Sequence, residues 1–147
     1  MLRGEPLTIL LVEDNPDHAE LVLRSMADAQ IANVIMHVED GAAALDYVRG
    51  TGAYTDRERF PMPHLMLLDL RLPKVDGLEV LRQIKEDENL RVLPVVILTT
   101  SDAERDVARA YHYHANSYLT KPVNFSSFET LMKELGFYWL AWNKSPW

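Results

Sequence analysis

Five short, mostly apolar runs punctuate the chain, and each of them ends at polar residues. The runs are Leu7–Val12, Asn33–Val38, His64–Leu68, Pro94–Leu98 and Ser117–Thr120. Their length predicts strands, and apolar residues that follow one another without alternating are typical of strands buried on both faces of a parallel sheet. We therefore expect one sheet of five parallel strands.

Between these runs, apolar residues recur three and four positions apart, which predicts helices packed on the sheet. The five predicted helices begin at Pro16, Gly41, Gly77, about Asp102 and near Asn124. Asp40 can cap the second helix, which is expected to end near Arg49. The stretch from Gly50 to Pro63 is rich in glycine, proline and charge and is predicted to be a loop. Strands that alternate with helices indicate an α/β domain with right-handed crossovers and helices on both faces.

The composition of the chain narrows the functional classes. The chain has 147 residues, a net charge of −7 and no cysteine. The acidic balance argues against binding to nucleic acid or to an anionic membrane, and the lack of cysteine excludes disulfides, zinc thiolate sites and thiol catalysis. No stretch has the length of a signal peptide's apolar core or of a membrane span, so a soluble cytoplasmic domain is expected.

Chemically capable side chains follow four of the five predicted strands. Glu13 and Asp14 come after the first strand, Asp69 after the third, Thr99 after the fourth and Lys121 after the fifth. In a parallel sheet the carboxyl ends of the strands lie on one edge, which is where open α/β sheets bind ligands. Three acids, a hydroxyl and an ammonium are thus expected to converge from separate parts of the sequence.

Such a set of side chains suits phosphoryl chemistry. Clustered carboxylates repel one another unless a cation is present, and all-oxygen ligation with room for water favours Mg²⁺. The metal, the lysine and the hydroxyl would offset the charge of a phosphoryl group, and Asp69 can act as the nucleophile. Taken singly, each residue is also compatible with a helix cap, a solvated helix start or a turn. Their common edge and their order favour the functional interpretation.

The same residues lie within motifs of a known family. Over roughly residues 7–135 the chain resembles the receiver domains of two-component response regulators, which have a doubly wound, flavodoxin-like fold of five parallel strands and five helices. The matching stretches are Ile9–Asn15, Leu67–Gly77, Pro94–Thr100 and Ser117–Pro122. The resemblance implies that Asp69 accepts a phosphoryl group from a histidine kinase in a Mg²⁺-dependent reaction.

The resemblance also implies roles for the residues around Asp69. It implies a Mg²⁺ site made by the carboxylates of Glu13, Asp14 and Asp69 and by the backbone carbonyl of Arg71. Lys121 would contact a phosphoryl oxygen, and the bond between Lys121 and Pro122 would be a cis peptide. Thr99 would move to donate its hydroxyl, and Tyr118 would be the switching aromatic. Phosphorylation would then change the surface of helix 4, strand 5 and helix 5.

The carboxyl-terminal segment has an unusual composition. Large apolar residues recur three and four positions apart there, and all three tryptophans fall in the last nine residues. We expect a single receiver domain over 1–147, with residues 137–147 as an aromatic extension. The aromatic residues either fold back onto the domain or form an interface. The second alternative is favoured, as a symmetric homodimer that involves Tyr138, Trp139 and Trp142.

The aromatic extension and the long loop before strand 3 resemble the stand-alone regulators of bacterial phytochrome histidine kinases, which implies such a kinase as partner. No output domain is expected, so the signal would pass by protein contact. Two alternatives remain: a Mg²⁺-dependent phosphatase with Asp69 as nucleophile, and a docking domain that works without phosphorylation. Arg71 stands where haloacid-dehalogenase-like phosphatases carry a second aspartate, and the intact set of acids, Thr99 and Lys121 argues against the docking domain. No enzymatic activity is therefore expected beyond self-catalysed phosphotransfer and dephosphorylation.

Overall fold

The computed structural model describes residues 7–28, 33–99, 109, 112, 113, 115, 117–120, 126, 127 and 130. The strands are β1 (Leu7–Val12), β2 (Asn33–Val38), β3 (Leu65–Asp69), β4 (Val95–Thr99) and β5 (Ser117–Thr120). The α-helices are α1 (Pro16–Asp28), α2 (Gly41–Arg49) and α3 (Gly77–Glu86), and a 3-10 turn spans Gly52–Tyr54. The predicted fourth and fifth helices fall outside the described residues, apart from isolated positions.

The five strands form one parallel sheet, as predicted, and their order in the sheet is β2-β1-β3-β4-β5. Strands β3 and β4 each begin and end one residue later than predicted, and at their carboxyl ends Asp69 pairs with Leu98 and Thr99 with Thr120. After β1 the chain first adds β2 on one side and then crosses to add β3 on the other. This reversal opens a crevice at the carboxyl ends of β1 and β3, the usual place for a ligand in this architecture.

Both faces of the sheet are buried. Leu10, Met66 and Ile97 on one face pack with buried residues of α2 and α3, among them Tyr47 and Leu81. The residues beside them in sequence point to the opposite face and are equally buried: Ile9, Leu11, Leu65, Leu67, Val96 and Leu98. Burial on two faces explains why the strands lack an alternating pattern. Among the described residues, no helix combines the length and the apolar character needed to cross a bilayer.

The segment between α2 and β3 contains only the 3-10 turn as regular structure, yet it packs tightly on the domain. We call Tyr47, Tyr54, Arg57 and Phe60 the Tyr47 cluster. The ring of Tyr47 lies 5.1 Å from that of Tyr54 and 6.0 Å from that of Phe60, centroid to centroid. Arg57 donates from Nη1 to Tyr47 O (2.7 Å) and from Nη2 to Val48 O (2.8 Å). The guanidinium thereby adds two donors at the carboxyl end of α2, where Tyr47 O also accepts from the N–H of Gly50 (3.2 Å).

Candidate metal and phosphoryl site

Three carboxylates meet at the crevice between β1 and β3. Glu13 and Asp14 follow β1, and Asp69 is the last residue of β3. One carboxylate oxygen from each of the three lies within 4.8 Å of the others. The side chains differ in their environment, because Glu13 is 0% and Asp69 7% exposed, whereas Asp14 faces solvent. The structure therefore brings together the three acids that the strand-end pattern singled out.

Glu13 is anchored through both its main chain and its side chain. Its N–H donates to Val38 O (3.1 Å), and its carboxylate accepts from the N–H of Asn15 (3.1 Å). The Nε2 of His37 on β2 donates to the carbonyl oxygen of Glu13 (2.8 Å). Sequence reasoning missed His37, because this bond depends on the register that sets Leu11 opposite His37. The buried acid is thus held from the neighbouring strand as well as from its own.

The helix that follows the first two acids begins as predicted. Asn15 Oδ1 accepts hydrogen bonds from the N–H groups of Asp17 (2.9 Å) and His18 (3.2 Å), which caps α1. The cap fixes where the chain turns from β1 into α1. Since Glu13 and Asp14 lie in that turn, their positions are set by the strand on one side and by the cap on the other.

Asp69 is held by the first residues of the loop that follows it. The N–H of Arg71 donates to Asp69 Oδ1 (3.1 Å), so the main chain of Arg71 lies beside the carboxylate. The loop closes where the N–H of Gly77 donates to Leu70 O (2.9 Å). A Cβ at position 77 would lie 2.2 Å from Asp69 O, so only glycine fits this approach. The start of α3 therefore packs directly against the main chain of Asp69.

A cavity of about 460 Å³ opens beside Asp14. Its lining combines apolar residues with two cations and two acids: Asp14, Leu70, Arg71, Leu72, Pro73, Asp76, Leu78 and Arg109. Arg109 and Arg71 come from different parts of the fold, and both side chains are exposed. Of the three clustered acids, Asp14 lines this cavity and can be reached from the solvent side.

The remaining predicted site residues are described only in part. The main chain of Thr99 lies at the end of β4, the strand next to β3. Tyr118 lies on β5 and is 40% exposed. The side chain of Thr99 lies outside the described part of the structure, and so do Lys121, Pro122, Tyr138, Trp139 and Trp142.

The donor set fits a hard divalent cation. All three side chains offer carboxylate oxygens, the ligands that Mg²⁺ prefers, and the exposure of Asp14 leaves room for the waters that Mg²⁺ retains. A cation would also offset the repulsion among three acids at one point. Glu13, Asp14 and Asp69 are thus suited to hold Mg²⁺, and the Arg71 carbonyl stays a predicted further ligand.

Comparison with known families gives one match that spans most of the chain. The family is the response regulator receiver domain, and its sequence model matches residues 9–133. That range includes the three acids, β1 from Ile9 onward, and all the other strands.

Individual relatives are similar over nearly their whole length. The probable methanogenesis regulatory protein FilR2 of Methanothrix harundinacea is 49% identical over 145 residues, which cover 97% of this chain and 89% of FilR2. The response regulator Rcp1 of Synechocystis sp. is 41% identical over 135 residues, which cover 92% of this chain and 90% of Rcp1.

Two solved structures extend the comparison to three dimensions. The bacteriophytochrome response regulator AtBRR superposes with a TM-score of 0.82 at 45% identity, covering 92% of this chain and 96% of AtBRR. The Mn²⁺-bound form of Rcp1 superposes with a TM-score of 0.74 at 39% identity, covering 97% of this chain and all of that one. A relative with this arrangement of strands therefore binds a divalent metal ion.

Proposed function

The chain belongs to the response regulator receiver domain family, and we propose that it is a cytoplasmic phospho-switch in which Asp69 accepts a phosphoryl group from a histidine kinase. One observation carries the proposal: Glu13, Asp14 and Asp69 meet at the point where the strand order of the sheet reverses. Residues 1–147 would form a single receiver domain that signals by protein contact. It would act without turnover of free substrates and without binding nucleic acid or membrane.

In the transfer step the protein forms one covalent bond, at Asp69. A carboxylate oxygen of Asp69 attacks the phosphorus of the kinase's phosphohistidine, forming the O–P bond of an acyl phosphate. The P–N bond breaks, and its electron pair stays with the imidazole nitrogen of the kinase. The Arg71 amide orients the Asp69 carboxylate through Oδ1, and Glu13 and Asp14 would hold Mg²⁺ together with Asp69. When bound, Mg²⁺ offsets the negative charge that gathers on the phosphoryl oxygens.

The new charge on Asp69 then becomes the signal. A phosphoryl group adds roughly −2 in charge and three acceptor oxygens. We propose that Lys121 contacts a phosphoryl oxygen and that Thr99 moves to donate its hydroxyl to the new acceptor. Tyr118, 40% exposed on β5, then turns inward into the space that Thr99 leaves. The surface formed by helix 4, β5 and helix 5 would change as a result, and a partner protein would read that change.

A bacterial phytochrome kinase is the partner that we propose. AtBRR, which is named as a bacteriophytochrome response regulator, is similar over 92% of this chain, and that similarity supports the assignment. The long segment between α2 and β3 and the aromatic extension support it independently.

Phosphorylation is tested directly with a small donor. The purified domain is incubated with acetyl phosphate and Mg²⁺, and its intact mass is measured. One added phosphoryl group is expected, and chelation of the metal should prevent it. A wild-type protein that gains no phosphoryl group would contradict the phospho-switch. Rapid multiple-turnover hydrolysis of unrelated phosphomonoesters would instead favour a phosphatase.

We also propose that the domain forms a homodimer through its aromatic extension. Aromatic residues are enriched at the centres of interfaces, and Trp139 and Trp142 are among the three tryptophans of the chain. Sedimentation velocity should show a dimer for the wild type and a monomer for the Trp139→Ala/Trp142→Ala variant. A wild-type monomer both with and without phosphorylation, or an unchanged dimer in the variant, would contradict this interface.

A further inference from the structure

The loop that follows Asp69 rests on the amino end of α2. A Cβ at Gly41 would lie 1.8 Å from Val75 O and 2.7 Å from Val75 C, so the two main chains touch. The N–H of Gly41 also points at Pro73 O, at 3.4 Å. This contact requires glycine at position 41 and joins two elements that are far apart in sequence.

The loop makes a tight turn at the same place. The N–H of Val75 donates to Pro73 O (2.8 Å), which closes a three-residue turn around Lys74. Lys74 has a φ of +68°, a left-handed conformation that is unfavourable for a residue with a Cβ. Backbone in such a conformation persists only where the surrounding structure holds it.

Asp40 supplies part of that support with a single carboxylate. Its Oδ1 accepts from the N–H of Ala43 (2.7 Å) and so caps α2, while its Oδ2 lies 3.5 Å from Nζ of Lys74. The start of the helix and the left-handed turn are therefore tied to the same side chain.

Both ends of the loop are attached to the candidate phosphoryl site. At one end the Arg71 amide donates to the Asp69 carboxylate, and at the other Gly77 packs on Asp69 O. A shift in the middle of so short a loop cannot be absorbed without moving one of these ends. The contact with α2 is thus the outer support of the site.

We propose that Asp40 and Gly41 are positioning residues for the metal and phosphoryl site, and this inference rests on the function proposed above. Neither residue belongs to the cluster of three acids. They hold the loop in the shape that keeps the main chain of Arg71 beside Asp69. Supports of this kind control metal affinity because ligand positions must be kept within tenths of an ångström.

Mn²⁺ binding separates this role from a contribution to stability alone. Mn²⁺ affinity is measured by the loss of its free-ion EPR signal for the wild type and for Gly41→Ala. The new methyl group must push the loop away, so Gly41→Ala should bind Mn²⁺ about 10-fold or more weakly, as for other residues that support metal ligands. Its rate of phosphorylation by acetyl phosphate at subsaturating Mg²⁺ should fall in parallel.

The matched control is Ala44→Gly, which lies on the same helix and is fully buried. This change weakens α2 without adding an atom near the loop. It should lower the melting temperature while leaving the Mn²⁺ dissociation constant within about twofold of the wild type, as expected of a change that leaves the ligand supports in place.

Two less disruptive variants test the same positioning role if Gly41→Ala does not fold. Asp40→Asn keeps an oxygen for the helix cap and removes the charge opposite Lys74. It should weaken Mn²⁺ binding by about two- to fivefold, the range of an exposed ion pair. Lys74→Met should have the same effect, and the double variant should be no weaker than either single one.

Mn²⁺ affinities equal to that of the wild type in the folded Gly41 and Asp40 variants would overturn the positioning role while leaving the phospho-switch intact. A wild-type protein that binds neither Mn²⁺ nor a phosphoryl group would overturn the proposed function, and the positioning role with it.

Discussion

Asparagine in place of Asp69 should abolish the phosphoryl adduct and, without metal, make the domain more stable than the wild type. The first effect follows because an amide cannot form the acyl phosphate. The second follows because Asp69 lies in a cluster whose oxygens fall within 4.8 Å of one another, next to the fully buried Glu13. Removing one of three like charges should raise the free energy of unfolding by about 1–2 kcal/mol. Asparagine keeps the Oδ1 that accepts from the Arg71 amide, so the loop retains its first hydrogen bond.

Magnesium should reverse the order of stability. A ligand that binds only the folded state stabilises it by about 2.7 kcal/mol at 100 times its dissociation constant. The wild type should gain this increment in excess Mg²⁺, whereas Asp69→Asn, with one carboxylate fewer, should gain much less. The wild type would then be more stable than the variant.

Urea unfolding in EDTA and in excess Mg²⁺, together with intact mass after acetyl phosphate, measures all three effects. Asp87→Asn at the end of α3 is the control, because it removes the same charge outside the acidic cluster and keeps its Oδ1 acceptor for Asn89. The control should take phosphate normally and show no metal-dependent reversal. A phosphoryl adduct on Asp69→Asn would place the acceptor elsewhere, and equal stability of all three proteins in EDTA would contradict the repulsion.

Alanine in place of Tyr47 should cost about 3–5 kcal/mol, the range for truncating a buried aromatic residue. The side chain is 1% exposed, and its ring packs on both Tyr54 and Phe60. Its hydroxyl donates to Pro61 O (3.0 Å), so truncation also removes the partner of a loop carbonyl. For a domain whose total stability is about 5–15 kcal/mol, this is a large share.

Tyr47→Phe separates the hydrogen bond from the packing. It keeps the ring and loses only the hydroxyl, so it should cost about 1 kcal/mol. Both variants are compared with the wild type by urea unfolding, and their phosphorylation is assayed at low temperature, where the folded form predominates. The folded fraction should accept phosphate at the wild-type rate, because the Tyr47 cluster lies apart from the acids. A loss below 1 kcal/mol for Tyr47→Ala would mean that the segment does not unfold together with the core.

The sheet and the acidic cluster were predictable because they depend on local patterns. A strand that is buried on both faces consists of a continuous run of apolar residues. The first polar residue after that run therefore lies at the edge of the sheet. Glu13, Asp14 and Asp69 follow from that rule once the strands are known to be parallel. Asp40 as a cap of α2 likewise follows from helix chemistry alone, and the structure confirms it.

Features that depend on contacts between distant segments could not be predicted from the sequence. His37 bonds to Glu13 only because two strands align in one register. Arg57 belongs to a charged stretch that is typical of solvent-exposed loops, and nothing local distinguishes it from Arg59. The left-handed turn at Lys74 has no glycine or asparagine at that position, so the local sequence does not predict it. It is supported instead by Asp40 and Gly41, which lie at the start of α2.

Because the segment between α2 and β3 is tightly packed, it is a poor site for inserting a fluorescent reporter into this domain. By composition, residues 50–63 would be chosen for an insertion, since loops rich in glycine and charge usually tolerate one. An insertion there would separate Arg57 from the end of α2 and dismantle the Tyr47 cluster. The turn after α3, where Glu88 and Asn89 are exposed, offers an alternative at the opposite edge of the sheet from the acids. A reporter inserted in that turn would leave both the Tyr47 cluster and the acidic cluster intact.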